Sequence, residues 1–300
     1  MAKHAYCIIA HAHPQVLLAL LSQIDDPEND IFLHIDKKWK HFPFEEVGRA
    51  VTRSRLYYAE RHKVAWGGYS QIESEMALLK KAASVGQYTF YHLLSGQDLC
   101  LRSQAEIHAF FDQYAGDSFL TFCGEDWNRK AEERIRYYHL DSTRGRLRHF
   151  AEKVWITLQK VLRVNRLKKT DLKVVGGCNW ASLSDEAVRY LLEAEPTVKR
   201  VFAHGWCVDE LYKHTMLYNS PLRDRIFLVK IPPLNNDMDP DMHRANARFI
   251  DWNRGKPYTF TKEDYSLLIA SDCAFARKFS AETDGEIIRA LCRHTNSPLT

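Results

Sequence analysis

The sequence predicts an α/β protein, a Rossmann-like mixed sheet flanked by helices, on three observations. The apolar run Tyr6 to Ala10 is followed by a loop, a helix opened by Pro14 and a second apolar run, Ile31 to Ile35. That is a βαβ unit, whose right-handed crossover brings the loops after both strands to one sheet edge. The run Phe90 to Leu94 then ends at Ser-Gly and leads past Asp98 to a helix opened by Ser103, with Glu106 at the capping-box position. Finally, 300 residues with 45% hydrophobic and 12% aromatic content suffice for a sizeable core. No Gly/Ser/Pro-rich linker, low-complexity tract or repeat divides the chain, so a single large domain is expected.

Composition narrows the function classes. Lys and Arg number 42 against 38 Asp and Glu, a net charge of +4 that suits a binder of small anions without requiring nucleic acid. The seven cysteines are irregularly spaced and form no CxxC pair, which argues against structural zinc and for a reducing compartment. No apolar stretch approaches the roughly 18 residues of a membrane span. A soluble, cytoplasmic protein with at most peripheral contact with the inner membrane face is therefore expected.

Along the chain, His11 and His13 share the first loop, but a His-x-His pair without an acidic partner reads as an ordinary, non-metal pair. Asp36 ends the second strand, where it either accepts bonds from a ribose or base or caps its own loop. Leu56 to Ala59 reads as a third strand. In Trp66-Gly67-Gly68-Tyr69-Ser70 the glycines permit a close turn before Ser70 caps a helix. Trp66 there is either core or a ring-stacking surface. Asp98 lies at the edge where α/β sheets bind ligands, or is a turn aspartate bonded to its own backbone. Ser118 to Phe122 reads as a strand.

Between Arg134 and Lys169 there are eleven Lys or Arg and two acids, Asp141 and Glu152, with Tyr137, Tyr138, Phe150 and Trp155 interleaved. Such a segment is either a solvated flank or a surface for a polyanion or an anionic membrane. Lys173 to Ser184 reads as a strand interrupted by Gly176 and Gly177, a sign of close backbone approach. Asp185 caps the next helix. Glu210 falls in the first turn of a later one, where the dipole favours its anion. Ile231 to His243 is an irregular loop, and Arg248 to Trp252 a strand. Thr261 opens a helix with Asp264 at its box position. Basic side chains in two separated turns, around Arg254 and at Arg277-Lys278, either converge on a diphosphate or are surface charge.

Several of these segments, in order, resemble the Core-2/I-branching β-1,6-N-acetylglucosaminyltransferases and their peptide O-xylosyltransferase relatives. They are Ile8 to His11, Asp26 to Asp36, Trp66 to Ser70, His92 to Asp98, Val208-Asp209-Glu210, Phe249 to Trp252 and Phe275 to Phe279. The resemblance implies a GT-A-like fold, a UDP-sugar donor and inverting transfer with no cofactor and no metal. It divides the chain into a nucleotide-sugar half (1–125), a basic helical insertion (126–170) and an acceptor and catalytic half (171–300). It makes Glu210 the catalytic base and assigns donor contacts to Ala10, His11, Ala12, Asp36, Trp66, Asp98 and Lys278. Arg254 or Lys256 partners Lys278, with Arg248 also open, and Arg134, Trp180 and Trp252 face the acceptor. With no animal-type anchor or disulfides, the chain reads as a bacterial relative acting on a glycan, lipid-linked or polysaccharide acceptor. The competing expectations are a UDP-xylose enzyme, a metal-dependent transferase built on Asp36 and Asp98, and a non-catalytic binder of carbohydrate or anionic polymer.

Overall fold

The larger sheet is built around its first strand. The computed structural model describes residues 3–140, 146–228, 240–255 and 257–297. Its strands are β1 (His4–Ala10), β2 (Asn29–Ile35), β3 (Arg55–Tyr58), β4 (Phe90–Ser95), β5 (Asp98–Cys100), β6 (Ser182–Ser184), β7 (Arg248–Ile250) and β8 (Phe275–Arg277). Five of them form a sheet in the order β3-β2-β1-β4-β6, and the other three a small sheet, β5-β8-β7. In the large sheet β1, β2, β3 and β4 run parallel and β6 antiparallel. This parallel-rich mixed sheet between helices is the α/β class expected.

Each central strand buries both faces, so it reads as a continuous apolar run rather than an alternating one. On one side Tyr6, Ile8 and Ala10 join Val16, Leu17 and Leu20 of the helix Pro14–Ile24, with Ile287 and Leu291 of Gly285–His294. On the other, Ala5, Cys7 and Phe32 join Ile72, Met76 and Leu79 of Ser70–Val85. β2 leaves β1 on one edge and β4 on the other, so the crevice beyond Ala10, Ile35 and Ser95 is the switch point where α/β sheets take ligands.

Local expectations fared unevenly. Pro14 does open its helix, and Ser103 and Thr261 form capping boxes with Glu106 and Asp264. Ser70, however, lies inside its helix, and its Oγ accepts from Ala65 N at 2.8 Å, fastening the preceding loop instead. Ser184, not Asp185, caps the helix Asp185–Glu193; Asp185 pairs with Arg189 and accepts from Tyr91. The run Ser118 to Phe122 makes only isolated bridges to Ile226 and Ser182, because its neighbour β6 is three residues long. Most of the predicted loop 231–243 lies outside the described residues.

Arg248 locks the two sheets together. Its guanidinium donates to Leu93 O at 3.1 Å and Ala181 O at 2.7 Å, and it lies 5.1 Å from the Phe275 ring. Burial lowers its pKa to about 10. With those bonds made to backbone carbonyls, Arg248 is not a second diphosphate ligand. Arg248→Ala strips buried acceptors of a charged donor and should cost about 3 kcal/mol in urea denaturation. A loss below about 1 kcal/mol would show that the sheets are joined by other means.

Candidate active site

At the switch-point edge, Ala10 is buried, His11 exposed and Ala12 half-buried. Asp36 N donates to Ala10 O at 2.9 Å and Gly96 N to Ile9 O at 2.9 Å, fixing the ends of β1, β2 and β4 to one another. Asp36 is itself buried; its Oδ1 accepts from Lys38 N at 2.8 Å and its Oδ2 pairs with Lys38 Nζ at 3.4 Å. Partial burial, then the positive charges of Arg277 and His13, lower the His11 pKa; Asp36 opposes them and Lys278 adds to them. The first loop, Asp36 and the two basic residues therefore share one neighbourhood.

Asp98 is turned inward. Its carboxylate accepts from Ser95 N and Ser95 Oγ, both at 2.8 Å, and from Arg277 at 2.6 Å. Nearly fully buried, it holds Arg277 in place. Asp36 and Asp98 thus each have protein partners, and among the described residues no group of three His, Cys, Asp or Glu converges as metal ligands. His13 bonds Glu282 at 3.1 Å.

The cations separate into paired and unpaired. Arg254 bonds Asp251 and Asp264, each at 2.7 Å, and stacks 3.9 Å over Tyr258, bracing a turn. Lys256 lies outside the described residues. Arg277, which the sequence reading passed over as a partner, is paired with Asp98 at 2.6 Å, lies 4.5 Å over the Trp180 ring and adjoins Lys278. Lys278 is half-buried and has no ion-pair partner among the described residues. Burial, then the Arg277 charge, lowers its pKa. Such an ammonium gains from any anion that enters.

Glu210 ends a short 3-10 turn, Val208–Glu210, just before the helix Tyr212–Tyr218. It therefore precedes the helix rather than lying in its first turn, and its partner is a side chain: Arg134 donates to Oε2 at 2.5 Å and lies 4.9 Å from the Trp127 ring. Arg134 therefore stands at the glutamate. Oε1 has no hydrogen-bond partner among the described residues and is left to accept.

Two close backbone passages frame the Glu210 turn. Gly67 has φ +76°, and a Cβ there would lie 2.7 Å from Trp206. Cys207 N donates to Gly67 O at 2.8 Å, so the Trp66 loop sits directly against the Glu210 turn. Trp66 is 65% exposed and edge-on to Trp206 at 5.3 Å, a surface ring rather than core. On the other side Gly177 N donates to Glu210 O at 3.0 Å. A Cβ on Gly177 would fall 1.9 Å from Thr121 O, and one on Gly176 2.7 Å from Glu210 O. The chain continues through Cys178 to Trp180, beneath Arg277. Burial pushes the Cys178 thiol up to about 11, and it feels the charges of both Arg277 and Glu210. The segment Gly177 to Trp180 thus runs from the Glu210 turn to Arg277. Trp252 is exposed just beyond β7, which pairs with β8.

The Core-2/I-Branching enzyme family model matches residues 4–271. The chain belongs to that family. Similar curated proteins are xylosyltransferase 1 of Homo sapiens, 22% identical over 301 residues, 96% of this chain and 30% of that protein. The Mus musculus protein of that name is 24% identical over 270 residues, 87% of this chain and 27% of that protein. This chain thus spans less than a third of those relatives. Among solved structures, mouse xyloside xylosyltransferase 1 in its apo form aligns with a TM-score of 0.36 at 12% identity, covering 91% of this chain and 97% of that one. Staphylococcus aureus TarS 1–349 aligns with a TM-score of 0.31 at 13% identity, covering 67% and 55%. The motif resemblance therefore named the right group, a glycosyltransferase family with xylosyltransferase relatives.

In this Core-2/I-branching family member a buried polar layer underlies Glu210, and the sequence reading missed it. Lys213 bonds Glu75 at 2.8 Å and Asn179, with both charged side chains essentially inaccessible. Gln71 donates to Asp209 at 2.9 Å and accepts from Gly67 N. The available signal was spacing: Lys213 follows Asp209 by four residues, so its ammonium returns to Asp209 O at 3.3 Å.

Burial, then the negative charges of Glu210 and Glu75, raises the Asp209 pKa to about 7 against the pull of Lys213. The folded state thus keeps a proton that the unfolded chain has released between the ordinary carboxylate range and about pH 7. Stability should fall as pH rises through that window and level off above it. Asp209→Asn, which cannot ionise, should remove this slope when urea midpoints are compared across pH. The same slope in the variant would remove Asp209 as its source.

Proposed function

We propose that this chain is an inverting, metal-independent glycosyltransferase that moves N-acetylglucosamine from a UDP-sugar to a hydroxyl of a glycan acceptor. The observation that carries the reading is the half-buried Lys278, without an ion-pair partner among the described residues, beside Arg277, whose Trp180 neighbour follows the glycine that holds the Glu210 carbonyl. The loop Ala10 to Ala12 and Asp36 would take the nucleoside, and the diphosphate would lie against Lys278 and Arg277. Trp66, Trp180 and Trp252 offer rings for sugars. Glycan, lipid-linked and polysaccharide acceptors all fit this exposed rim.

The chemistry follows from the placement. Oε1 of Glu210 removes the proton of the acceptor hydroxyl, and that oxygen attacks the anomeric carbon. The bond to the diphosphate breaks on the opposite face, and its electron pair leaves with UDP, inverting the configuration. Negative charge grows on the diphosphate as two cations already face it, the role a divalent ion would otherwise fill. Arg134 is a positioning residue: by holding Oε2 it aims Oε1. A second reading, xylose as the donor sugar, draws on the xylosyltransferase name of the relatives. Screening UDP-sugars for transfer or hydrolysis separates the two.

Glu210→Gln should lower kcat by about 10² to 10⁴-fold while the calorimetric Kd for UDP stays the same. Unchanged turnover would remove Glu210 as the base. Lys278→Ala should weaken UDP binding by about tenfold or more, and full affinity would place the diphosphate elsewhere. Activity should persist in EDTA; its loss, with recovery on adding manganese, would contradict the metal-free step.

A further inference from the structure

The helix Arg146–Val161 is fastened to the protein by polar groups and turns apolar side chains outward. Glu152 accepts from Leu140 N at 3.0 Å and bonds His139 at 2.7 Å. Gln159, seven residues on and therefore on the same face, accepts from Tyr138 N and donates to Tyr138 O, both at 2.8 Å. Opposite this face, Phe150, Val154, Leu158 and Val161 follow one another at i, i+4, i+8 and i+11. They are 68%, 52%, 46% and 73% exposed, and Leu162 extends the stripe. A helix of a water-soluble domain has the reverse arrangement, and an exposed stripe of this kind marks an interaction surface.

Charge identifies what the stripe fits. The helix holds four basic residues, Arg146, Arg148, Lys153 and Lys160, and one acid, Glu152, which faces inward. Lys153 and Lys160 lie on one flank of the stripe, and the exposed Arg163 and Lys168 follow the helix. We propose that this helix lies in the surface of an anionic phospholipid bilayer, its apolar stripe at the acyl boundary and its cations among the headgroups. An exposed apolar stripe flanked by cations suits an anionic bilayer surface. Antiparallel pairing with a second copy would bring both basic flanks to the same side, where they repel. Lys160 pairs with Glu133, the neighbour of Arg134, so the docked surface is one short helix from Glu210. An acceptor carried on a lipid would then meet the cleft at the membrane. The docking surface itself does not depend on the catalytic reading.

Co-sedimentation with vesicles of phosphatidylglycerol and phosphatidylcholine, against phosphatidylcholine alone, tests this. The protein should bind the anionic vesicles, less so as salt rises. The double variant Phe150→Asp/Leu158→Asp should lose about tenfold or more in partitioning, with UDP affinity and thermal transition unchanged. No binding to anionic vesicles, equal binding to neutral ones, or undiminished binding by the variant would overturn the proposal. So would a concentration-dependent dimer without vesicle binding that the variant abolishes, which would give the face to a second copy.

Discussion

Everything at the cleft depends on a backbone passage too narrow for a side chain. Between Thr121 and Glu210 the chain threads Gly176 and Gly177, where added Cβ atoms would sit 2.7 Å or less from backbone oxygens. That closeness lets Gly177 hold Glu210 by its carbonyl and delivers Trp180 beneath Arg277 a few residues later. The passage thereby ties the acid of one segment to the cations of another, far away in sequence. The Gly67 loop closes the same turn from the opposite side through Cys207 and Trp206.

Beneath the passage lies a layer that is costly in isolation. A lysine and a glutamate removed from water must satisfy each other and their neighbours. Lys213 does so through Glu75, Asn179 and Asp209 O, although Glu75 Oε1 has no partner among the described residues. Asn179 belongs to the glycine passage and Asp209 adjoins Glu210, so this layer ties the passage to the Glu210 turn. Cys207, with φ 47°, adds a left-handed residue immediately before the turn. Strained backbone next to a buried charge layer fits a segment shaped by chemistry rather than by packing.

Much of the fold was legible in the sequence because β1, β2 and β4 are buried on both faces and announce themselves as apolar runs. The glycine passage was legible too, since Gly176-Gly177 has no other reason to interrupt an extended segment. What was hidden is pairing. Charge type alone could not tell that Arg254 is held by Asp251 and Asp264 while Lys278 has no counterion among the described residues, or that Arg134 lies against Glu210. Asp98 reads as a rim carboxylate in the sequence, yet its contacts are with Ser95 and Arg277. Capping by Ser184 in place of Asp185 has the same origin, because the carboxylate is drawn off by Arg189 and Tyr91. Local patterns carry the strands and helices; partners far apart in the chain carry the site.

The central claim is spatial: the cations at Arg277-Lys278 and the carboxylate of Glu210 face one donor. A crystal structure of the protein soaked with UDP tests it most directly. The account predicts the diphosphate within hydrogen-bond reach of Lys278, the uracil end toward His11 and Asp36, and the terminal phosphate directed into the space before Glu210. UDP bound away from Lys278, or with its terminal phosphate pointing out of the cleft that Glu210 borders, would contradict it.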